Sequence, residues 1–216
     1  MLERGCIVRT IHIKTLVLGM VHSNCYIVKS PNSQEVVVID PGANENTIDK
    51  YLKENDLECK SIFLTHGHFD HITAAPGLKA LTNAPVYAHE AEVKLINDPE
   101  LNASAYMGDG ISVNPDMRLR DNEELQIAGL TWRVIYTPGH TEGGVCYYLL
   151  DHGIMFSGDT LFYESIGRTD FPTGNHQMLI ESIQNQLMVL SDDIEVYPGH
   201  GRPTTIGHER TSNPYL

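Results

Sequence analysis

Cysteine is scarce in this sequence, and its spacing argues against two kinds of structure. The 216-residue chain has four cysteines, which lie far apart and form no C-x-x-C pair; they are Cys6, Cys25, Cys59 and Cys146. Disulfide-stapled domains and cysteine zinc sites depend on closely spaced pairs. We therefore expect reduced thiols in the protein core.

Long apolar runs and basic stretches are also missing. The chain starts MLERGCIVRT, with charges at Glu3, Arg4 and Arg9, which is not the pattern of a signal peptide or a membrane span. We therefore expect a cytoplasmic protein with no membrane partner. Lys and Arg number 15 against 28 Asp and Glu, giving a net charge of −13. This balance disfavours a nucleic-acid partner, because binding to phosphates depends on basic residues.

Histidine, by contrast, is concentrated in one short segment. The run THGHFDH contains His66, His68, Asp70 and His71. Imidazole nitrogens and carboxylate oxygens are donors that suit zinc and, where positions stay open, ferrous iron. Alternate side chains of an extended backbone share a face, so His66 and His68 can point to one ion. Past a bend, Asp70 and His71 can turn to another, and we expect all four ligands on one loop.

Three further donors follow predicted strands. Each comes after a short run that is rich in β-branched or aromatic residues and is cut by Pro or Gly; the runs are residues 132–136, 154–156 and 195–197. The donors are His140 in TPGH, Asp159 in SGDT and His200 in YPGH. Loops at strand ends are anchored firmly and are still reachable by a substrate. We therefore expect these donors to meet the THGHFDH segment.

The rest of the chain predicts a mixed α and β domain, with helices flanking strands and the donors at one edge. Predicted strands cover residues 10–18, 24–29, 35–40 and 61–64, and residues 124–156 are rich in strands. Predicted helices cover residues 46–55, 73–80, 89–97 and 176–190. Residues 98–121 are expected to form a long loop that borders a pocket. With 41% hydrophobic residues, the chain can bury the core of a single domain over residues 1–216.

The order of the donor motifs resembles the metallo-β-lactamase superfamily, whose pattern is HxHxDH followed by a His, an Asp and a last His. The resemblance covers nearly the whole chain and implies a four-layer αββα sandwich. It also implies two divalent metal ions, with zinc as the expected metal and iron or manganese as the alternatives. It assigns one ion to His66, His68 and His140, the other to Asp70, His71 and His200, and a bridging role to Asp159.

This ligand set implies a hydrolase. Three protein ligands per ion and a shared carboxylate leave a coordination position for water, which is typical of catalytic metal sites. Two such ions hold a bridging hydroxide and polarise a carbonyl group. The family gives the position of Asp70 a catalytic role, in which it orients this hydroxide and moves its proton. No Ser or Cys nucleophile with a paired base is evident, which disfavours a covalent acyl-enzyme.

The segment GDTLFYESIGRTDFPTGN is similar to the matching region of glyoxalase II enzymes, which are hydroxyacylglutathione hydrolases. In those enzymes a basic residue near the position of Arg168 binds a carboxylate of the glutathione thioester. The resemblance therefore implies a small-molecule thioester such as S-lactoylglutathione as the substrate, with Arg168 in contact with it. Arg168 and Asp170 are two residues apart, and the alternative role of Arg168 is an ion pair that braces the loop.

The chain is shorter than a full-length glyoxalase II enzyme. Those enzymes carry a C-terminal helical domain, whereas 16 residues follow His200 here, so the chain looks more like compact glyoxalase II-like hydrolases.

Two other enzyme classes share parts of the pattern. GRTDF and the ERTSNP ending also resemble persulfide dioxygenases, which hold one iron at the positions of His66, His140 and Asp159. Retention of every second-site ligand favours the two-metal hydrolase. A β-lactamase is disfavoured because such enzymes act outside the cytoplasm, and the oligomeric state stays open.

Overall fold

A computed structural model describes residues 11–216 and contains two six-stranded sheets. The first sheet is built from the N-terminal half of the chain, with its strands in sequence order; they are β1 (His12–Leu18), β2 (Ser23–Lys29), β3 (Glu35–Ile39), β4 (Glu58–Phe63), β5 (Val86–His89) and β6 (Met117–Leu119). The first three strands pair antiparallel, and β3 to β6 pair parallel. Parallel neighbours need long crossover connections, which here contain helices. These are α1 (Glu45–Glu54), α2 (Phe69–Ile72), α3 (Ala75–Thr82) and α4 (Val93–Asn97).

The second sheet is built from the C-terminal half of the chain. Its strands are β7 (Glu124–Ile127), β8 (Leu130–Tyr136), β9 (Val145–Leu149), β10 (Ile154–Gly158), β13 (Glu195–Pro198) and β14 (Thr204–Thr205). They lie side by side in the order β14-β13-β10-β9-β8-β7. A separate hairpin lies between β10 and β13 and consists of β11 (Leu161–Phe162) and β12 (Ser165–Ile166). Two helices belong to this half, α5 (His176–Ser182) and α6 (Ile206–Ser212).

Three hydrophobic cores define four layers. The two sheets face each other over a core that includes Phe63 from the first sheet and Trp132 from the second, both fully buried. Ile48 of α1 packs in a second core on the outer face of the first sheet. Leu179 of α5 packs in a third core on the outer face of the second sheet. The order of layers is therefore helix, sheet, sheet, helix, and the predicted αββα sandwich is confirmed.

Several element boundaries differ from the prediction. His89 was expected to start a helix, but it ends β5, and helical structure follows as a 3₁₀ turn (Glu90–Glu92) and α4. The predicted loop at 98–121 contains the edge strand β6. Both strands have four residues or fewer, which is too short for sequence periodicity to identify. The helix predicted over 176–190 changes at residue 183 into a π-helical turn (Ile183–Leu187).

Other predictions differ by a few residues or fall outside the description. The helix expected over residues 73–80 lies at Ala75–Thr82, and the one expected over 46–55 lies at Glu45–Glu54. Helix α6 was not predicted. Thr10 and the start of the chain, on which the signal-peptide prediction rests, lie outside the described residues. Over residues 11–216, no helix has the length and hydropathy needed to cross a membrane.

Cys25, Cys59 and Cys146 are free and buried, which confirms the expectation of core thiols for these three, whereas Cys6 lies outside the described residues. Burial raises the pKa of Cys59 to about 12 and that of Cys146 to about 11, and it also raises the pKa of Cys25. Because the thiolate is the reactive form, we expect a Cys6→Ser variant to show no fast-reacting thiol toward Ellman's reagent at pH 8. The same variant should show three reactive thiols in denaturant. Fast reaction in the folded protein would mean that one of these thiols is accessible.

Candidate metal centre

The predicted donors lie at one edge of the two sheets, because each follows the end of a strand or begins a helix. His66 and His68 come after β4, while Asp70 and His71 lie in α2. The expectation of four donors on one loop is therefore corrected, since the turn of α2 carries two of them. His140 lies in the connection from β8 to β9. Asp159 directly follows the end of β10, and His200 lies two residues after the end of β13.

The first sheet holds the loop of His200 in place. The backbone N–H of Asn24 donates to the carbonyl of Gly199 over 2.7 Å, and the side-chain amide of Asn24 donates to the carbonyl of Pro198 over 2.9 Å. The Tyr26 hydroxyl donates to the same Pro198 carbonyl over 2.6 Å. Strand β2 therefore positions the last donor of the second sheet, which explains how donors from both halves of the chain reach one place.

The structure brings the donors together in two groups. One group consists of His66, His68 and His140, all buried, and the other consists of Asp70, His71 and His200. Within each group, the ligand atoms lie within 4.8 Å of one another. These are the same two sets that the sequence resemblance assigns to two ions. In the first group the Nδ1 of His68 lies 2.9 Å from the Nε2 of His140.

Asp159 lies between the two groups. Its Oδ2 is 3.6 Å from the Nε2 of His140 in the first group and 3.7 Å from the Nε2 of His200 in the second. Its Oδ1 is 3.4 Å from the Nε2 of His71. One carboxylate can therefore reach donors of both groups, as a bridging ligand must.

Hydrogen bonds on the far side of three imidazole rings direct their Nε2 lone pairs into the centre. His140 donates from Nδ1 to the Arg168 carbonyl over 2.7 Å, which leaves its Nε2 unprotonated in the neutral ring. His71 places Nδ1 3.0 Å from a carboxylate oxygen of Asp40. The Nδ1 of His66 lies 3.1 Å from the Thr65 hydroxyl, which already donates to Asp40 over 2.6 Å and so accepts from His66.

The same centre contains buried polar atoms without a hydrogen-bond partner. Among the described residues these include the Nε2 atoms of His66 and His71, and the Oδ1 atom of Asp159. Buried polar atoms are normally paired, and unpaired ones point to an ion or a water. Nitrogen and oxygen donors of this type suit zinc or iron. The residues therefore fit divalent cations.

The two groups differ in their proton affinity. Burial lowers the pKa of His66 well below its ordinary value, with the neighbouring His71 adding to the effect, and burial also lowers the pKa of His68 to about 3. These rings are neutral and ready to coordinate. Burial alone would also lower the pKa of His71, but the carboxylates of Asp70, Asp159 and Asp40 raise it well above the ordinary value. The second group thus attracts positive charge strongly.

Asp40 supports the centre, and sequence reasoning missed it. This buried carboxylate accepts from the backbone N–H of Thr65 over 2.8 Å, from the Thr65 hydroxyl, and from the Nδ1 of His71. Asp40, His66 and His71 also form a third cluster of potential ligands. Because the oxygens of Asp40 are occupied by these donors, Asp40 orients His71 rather than forming a further site.

Glu92 is a second supporting residue that sequence reasoning missed. It is fully buried, and it accepts from the backbone N–H of Gly67 over 2.8 Å and from that of Gly143 over 2.6 Å. Gly67 lies between His66 and His68, and Gly143 lies three residues after His140. One carboxylate therefore ties together the two loops that carry the first donor group.

Burial raises the pKa of Glu92 to about 7 from its ordinary value of 4.5. The folded state therefore binds this proton more tightly than the unfolded state, and the resulting stabilisation is lost as the pH rises from about 4.5 to about 7. We expect the free energy of unfolding of the wild type to fall over that range by up to about 3 kcal/mol relative to Glu92→Gln, which does not titrate. Urea unfolding at pH 5, 6, 7 and 8 with equal zinc measures this. A pH-independent difference would show that Glu92 stays ionised.

Arg168 lies beside the centre and forms the predicted ion pair with Asp170. Its Nε and Nη2 groups donate to the two carboxylate oxygens, each over 2.7 Å. The guanidinium group also lies 3.9 Å from the centre of the Phe171 ring. Both Arg168 and Phe171 line a cavity of about 200 Å³ above the donors. The bracing role is therefore observed, and the position leaves a substrate contact open to test.

Comparisons with known proteins identify the family. The model of the metallo-beta-lactamase superfamily matches residues 18–200. The hydroxyacylglutathione hydrolase GloC of Haemophilus influenzae is 33% identical over 208 residues, covering 95% of this chain and 98% of GloC. The crystal structure of the B3 metallo-beta-lactamase BLEG-1 has a TM-score of 0.90 and 38% identity, covering 95% of this chain and 99% of BLEG-1.

A further similar protein has been solved with metal bound. The protein TTHA1623, crystallised in a di-iron-bound form, has a TM-score of 0.85 and 33% identity, covering 94% of this chain and 100% of that protein. The family match spans most of the chain, and the relatives match over nearly their full lengths. The chain therefore belongs to the metallo-β-lactamase superfamily, a group of metal-dependent, hydrolase-like enzymes.

Proposed function

We propose that this protein hydrolyses a small-molecule thioester of the S-lactoylglutathione type at two divalent metal ions, with zinc as the first choice. The observation that carries the proposal is the position of Asp159, whose two oxygens reach donors in both groups. A persulfide dioxygenase with one iron would need only His66, His140 and Asp159. The second group is complete here, which favours the two-metal reaction. The similarity to GloC supports the thioester class.

The residues of the chain have distinct roles in this proposal. His66, His68 and His140 would hold one ion, Asp70, His71 and His200 would hold the other, and Asp159 would be shared by both. When bound, such ions lower the pKa of a shared water and polarise the substrate carbonyl. The surrounding side chains have to orient the water, accept its proton and bind the substrate, and Asp70 is the proposed residue for the first two tasks.

Asp70 is the proposed catalytic residue. Its Oδ2 lies 3.1 Å from the Nε2 of His200 and 3.3 Å from the Nε2 of His71, so this oxygen is directed at the second donor group. Burial by itself would raise the pKa of Asp70, but His71 and His200 lower it, so the carboxylate is ionised. The other oxygen, Oδ1, is then the atom that orients the attacking water and accepts its proton. The residue also lines the cavity above the donors, where the substrate would lie.

Arg168 is the proposed substrate-binding residue. Its ion pair with Asp170 fixes the guanidinium group at the wall of the cavity. A planar guanidinium group binds carboxylates well, and glutathione carries two carboxylates. The ion pair and a substrate contact are compatible. Asp170 accepts hydrogen bonds from Nε and Nη2 of Arg168, so Nη1 is left to donate to a substrate carboxylate.

The test is the rate at which zinc-loaded protein hydrolyses S-lactoylglutathione, measured by the release of free thiol. The metal content of the same sample is determined as well. We expect a kcat/KM above about 10⁴ M⁻¹s⁻¹, within the ordinary range of enzymes. In an Asp70→Asn variant, kcat/KM should be lower by about 10²- to 10⁴-fold. Asp151→Asn, at an exposed position in the turn after β9, is the matched control and should keep full activity.

Other outcomes separate the competing activities. Absence of thioester hydrolysis from protein that holds two ions per chain would overturn the proposal. Oxygen uptake with glutathione persulfide by the iron-loaded protein would then indicate the dioxygenase. Hydrolysis of a β-lactam such as nitrocefin would instead indicate the activity for which BLEG-1 is named.

A further inference from the structure

A large groove lies beside the metal centre. Its volume is about 540 Å³. One wall comes from the connection between β1 and β2, with Met20 and Val21, and the opposite wall comes from the segment after α4, with Met107 and Ile111. A volume of this size is typical of pockets that hold small molecules.

The groove is continuous with the cavity above the metal donors. Val21, Phe69 and Asp70 line both spaces. Because the carboxylate of Asp70 belongs to the second donor group, the groove opens directly onto the place where the thioester carbonyl would lie. A substrate held at the donors can therefore extend one of its arms into the groove.

The lining of the groove selects against anionic groups. Among residues 11–216, no Lys, Arg or His lines the groove, and the charged residues that do are Asp70 and Asp109. Several apolar side chains at its mouth face solvent: Met20 is 75% exposed, Met107 46% and Val21 44%. Clustered exposed apolar side chains of this kind mark binding surfaces.

The other side of the centre has the opposite character. Arg168 and Phe171 line the cavity above the donors but not the groove. The two arms of a glutathione thioester differ in the same way, since the carrier has carboxylates and the acyl group is uncharged. Charge complementarity therefore directs the carrier toward Arg168 and the acyl arm toward the groove.

We infer that the groove is an acyl-binding site and that the enzyme takes apolar acyl groups larger than lactoyl. The inference rests on the proposed thioesterase function and names its substrate class. A lactoyl group has two carbons beyond the carbonyl and fills little of the 540 Å³. A linear acyl chain of six to eight carbons would contact Val21, Met107 and Ile111 and remove their apolar surface from water.

A series of acylglutathiones with two, four, six and eight acyl carbons tests the inference on the zinc-loaded protein. We expect kcat/KM to rise with chain length, by about two- to fourfold for each methylene that reaches the groove. The increase should be mainly a fall in KM, because the groove binds substrate and transition state alike. A kcat/KM that is flat or declines with length would overturn the inference.

A charge placed in the groove gives a second test. Met107→Asp should reduce the preference for the eight-carbon over the two-carbon substrate at least fivefold, mainly by raising KM for the eight-carbon substrate. Met117→Asp is the matched control, because Met117 is 48% exposed and does not line the groove. Equal behaviour of the two variants would place the acyl arm elsewhere.

The results also distinguish this inference from the proposed function. Failure to hydrolyse any acylglutathione, S-lactoylglutathione included, would overturn the thioesterase itself. Hydrolysis of lactoyl and acetyl thioesters with no gain from longer chains would leave the thioesterase standing and remove only the acyl site. The Met107→Asp variant can also be compared on thioesters of glutathione and of the uncharged carrier N-acetylcysteamine. If its effect depends on the carrier and not on the length of the acyl chain, the groove binds the carrier, which contradicts the inference.

Discussion

Replacing Asp159 with Ala is expected to remove both metal ions, so that the metal content falls from two ions per chain toward none. The reason is its position, since Oδ1 lies 3.4 Å from the Nε2 of His71 and Oδ2 lies 3.6 Å from the Nε2 of His140. Both donor groups lose an oxygen in one substitution. Thioester hydrolysis should fall by about 10³-fold or more, since the ions supply several kcal/mol of transition-state stabilisation.

His200→Ala provides the contrast. His200 belongs to the second group only, so this variant should keep about one ion per chain. Metal analysis after dialysis against a weak chelator measures both variants, and Asp151→Ala, at an exposed position, controls for handling. If the Asp159 variant retains two ions and full activity, the bridging assignment is wrong.

The donors themselves could be predicted from the sequence because each lies in a short motif whose chemistry is local. THGHFDH brings four donors together within seven residues, and strand-end loops carry the others. The αββα layers followed from the resemblance and are confirmed by the three cores. What the motif did not show is that Phe69 begins a helix, which moves Asp70 and His71 off the loop.

The supporting residues could not be predicted in the same way. Asp40 is 25 residues from Thr65 and 31 from His71, and Glu92 is 51 residues from Gly143. In the sequence each is a single acidic residue, which is usually a solvated side chain. Their function depends on burial next to a partner that is distant along the chain. Gly42, in the turn after β3, is a further case, because a Cβ there would lie 1.6 Å from the carbonyl oxygen of Asp70, which is 28 positions away in the sequence.

The acidic composition illustrates a different limit. The net charge of −13 gives no information on the substrate, whereas the distribution of charge around the centre does. Arg168 lies on one side of the donors, and Asp109 lies in the groove on the other. The proposed orientation of the substrate therefore depends on where these two side chains lie, which only the fold determines.

Asp40→Asn is expected to weaken binding of one ion by about 10- to 100-fold while leaving the fold intact, because partners of metal-binding histidines have effects of this size. Asp40 accepts from the Nδ1 of His71 over 3.0 Å and from the Thr65 hydroxyl over 2.6 Å with the same oxygen. An amide nitrogen at that place donates instead of accepting, so His71 has to keep its proton on Nε2. A protonated Nε2 cannot coordinate an ion.

The tautomer of His71 is the measurement that separates this effect from a general loss of stability. Nitrogen NMR of the zinc-loaded wild type should show the proton on Nδ1, and the Asp40→Asn variant should show it on Nε2. Metal titration should show the larger loss of affinity at the ion of the second group, to which His71 belongs, since His66 is linked to Asp40 only through the Thr65 hydroxyl. Unchanged affinity together with an unchanged tautomer would mean that His71 is oriented by packing alone. The proposed role of Asp40 in the centre would then be wrong.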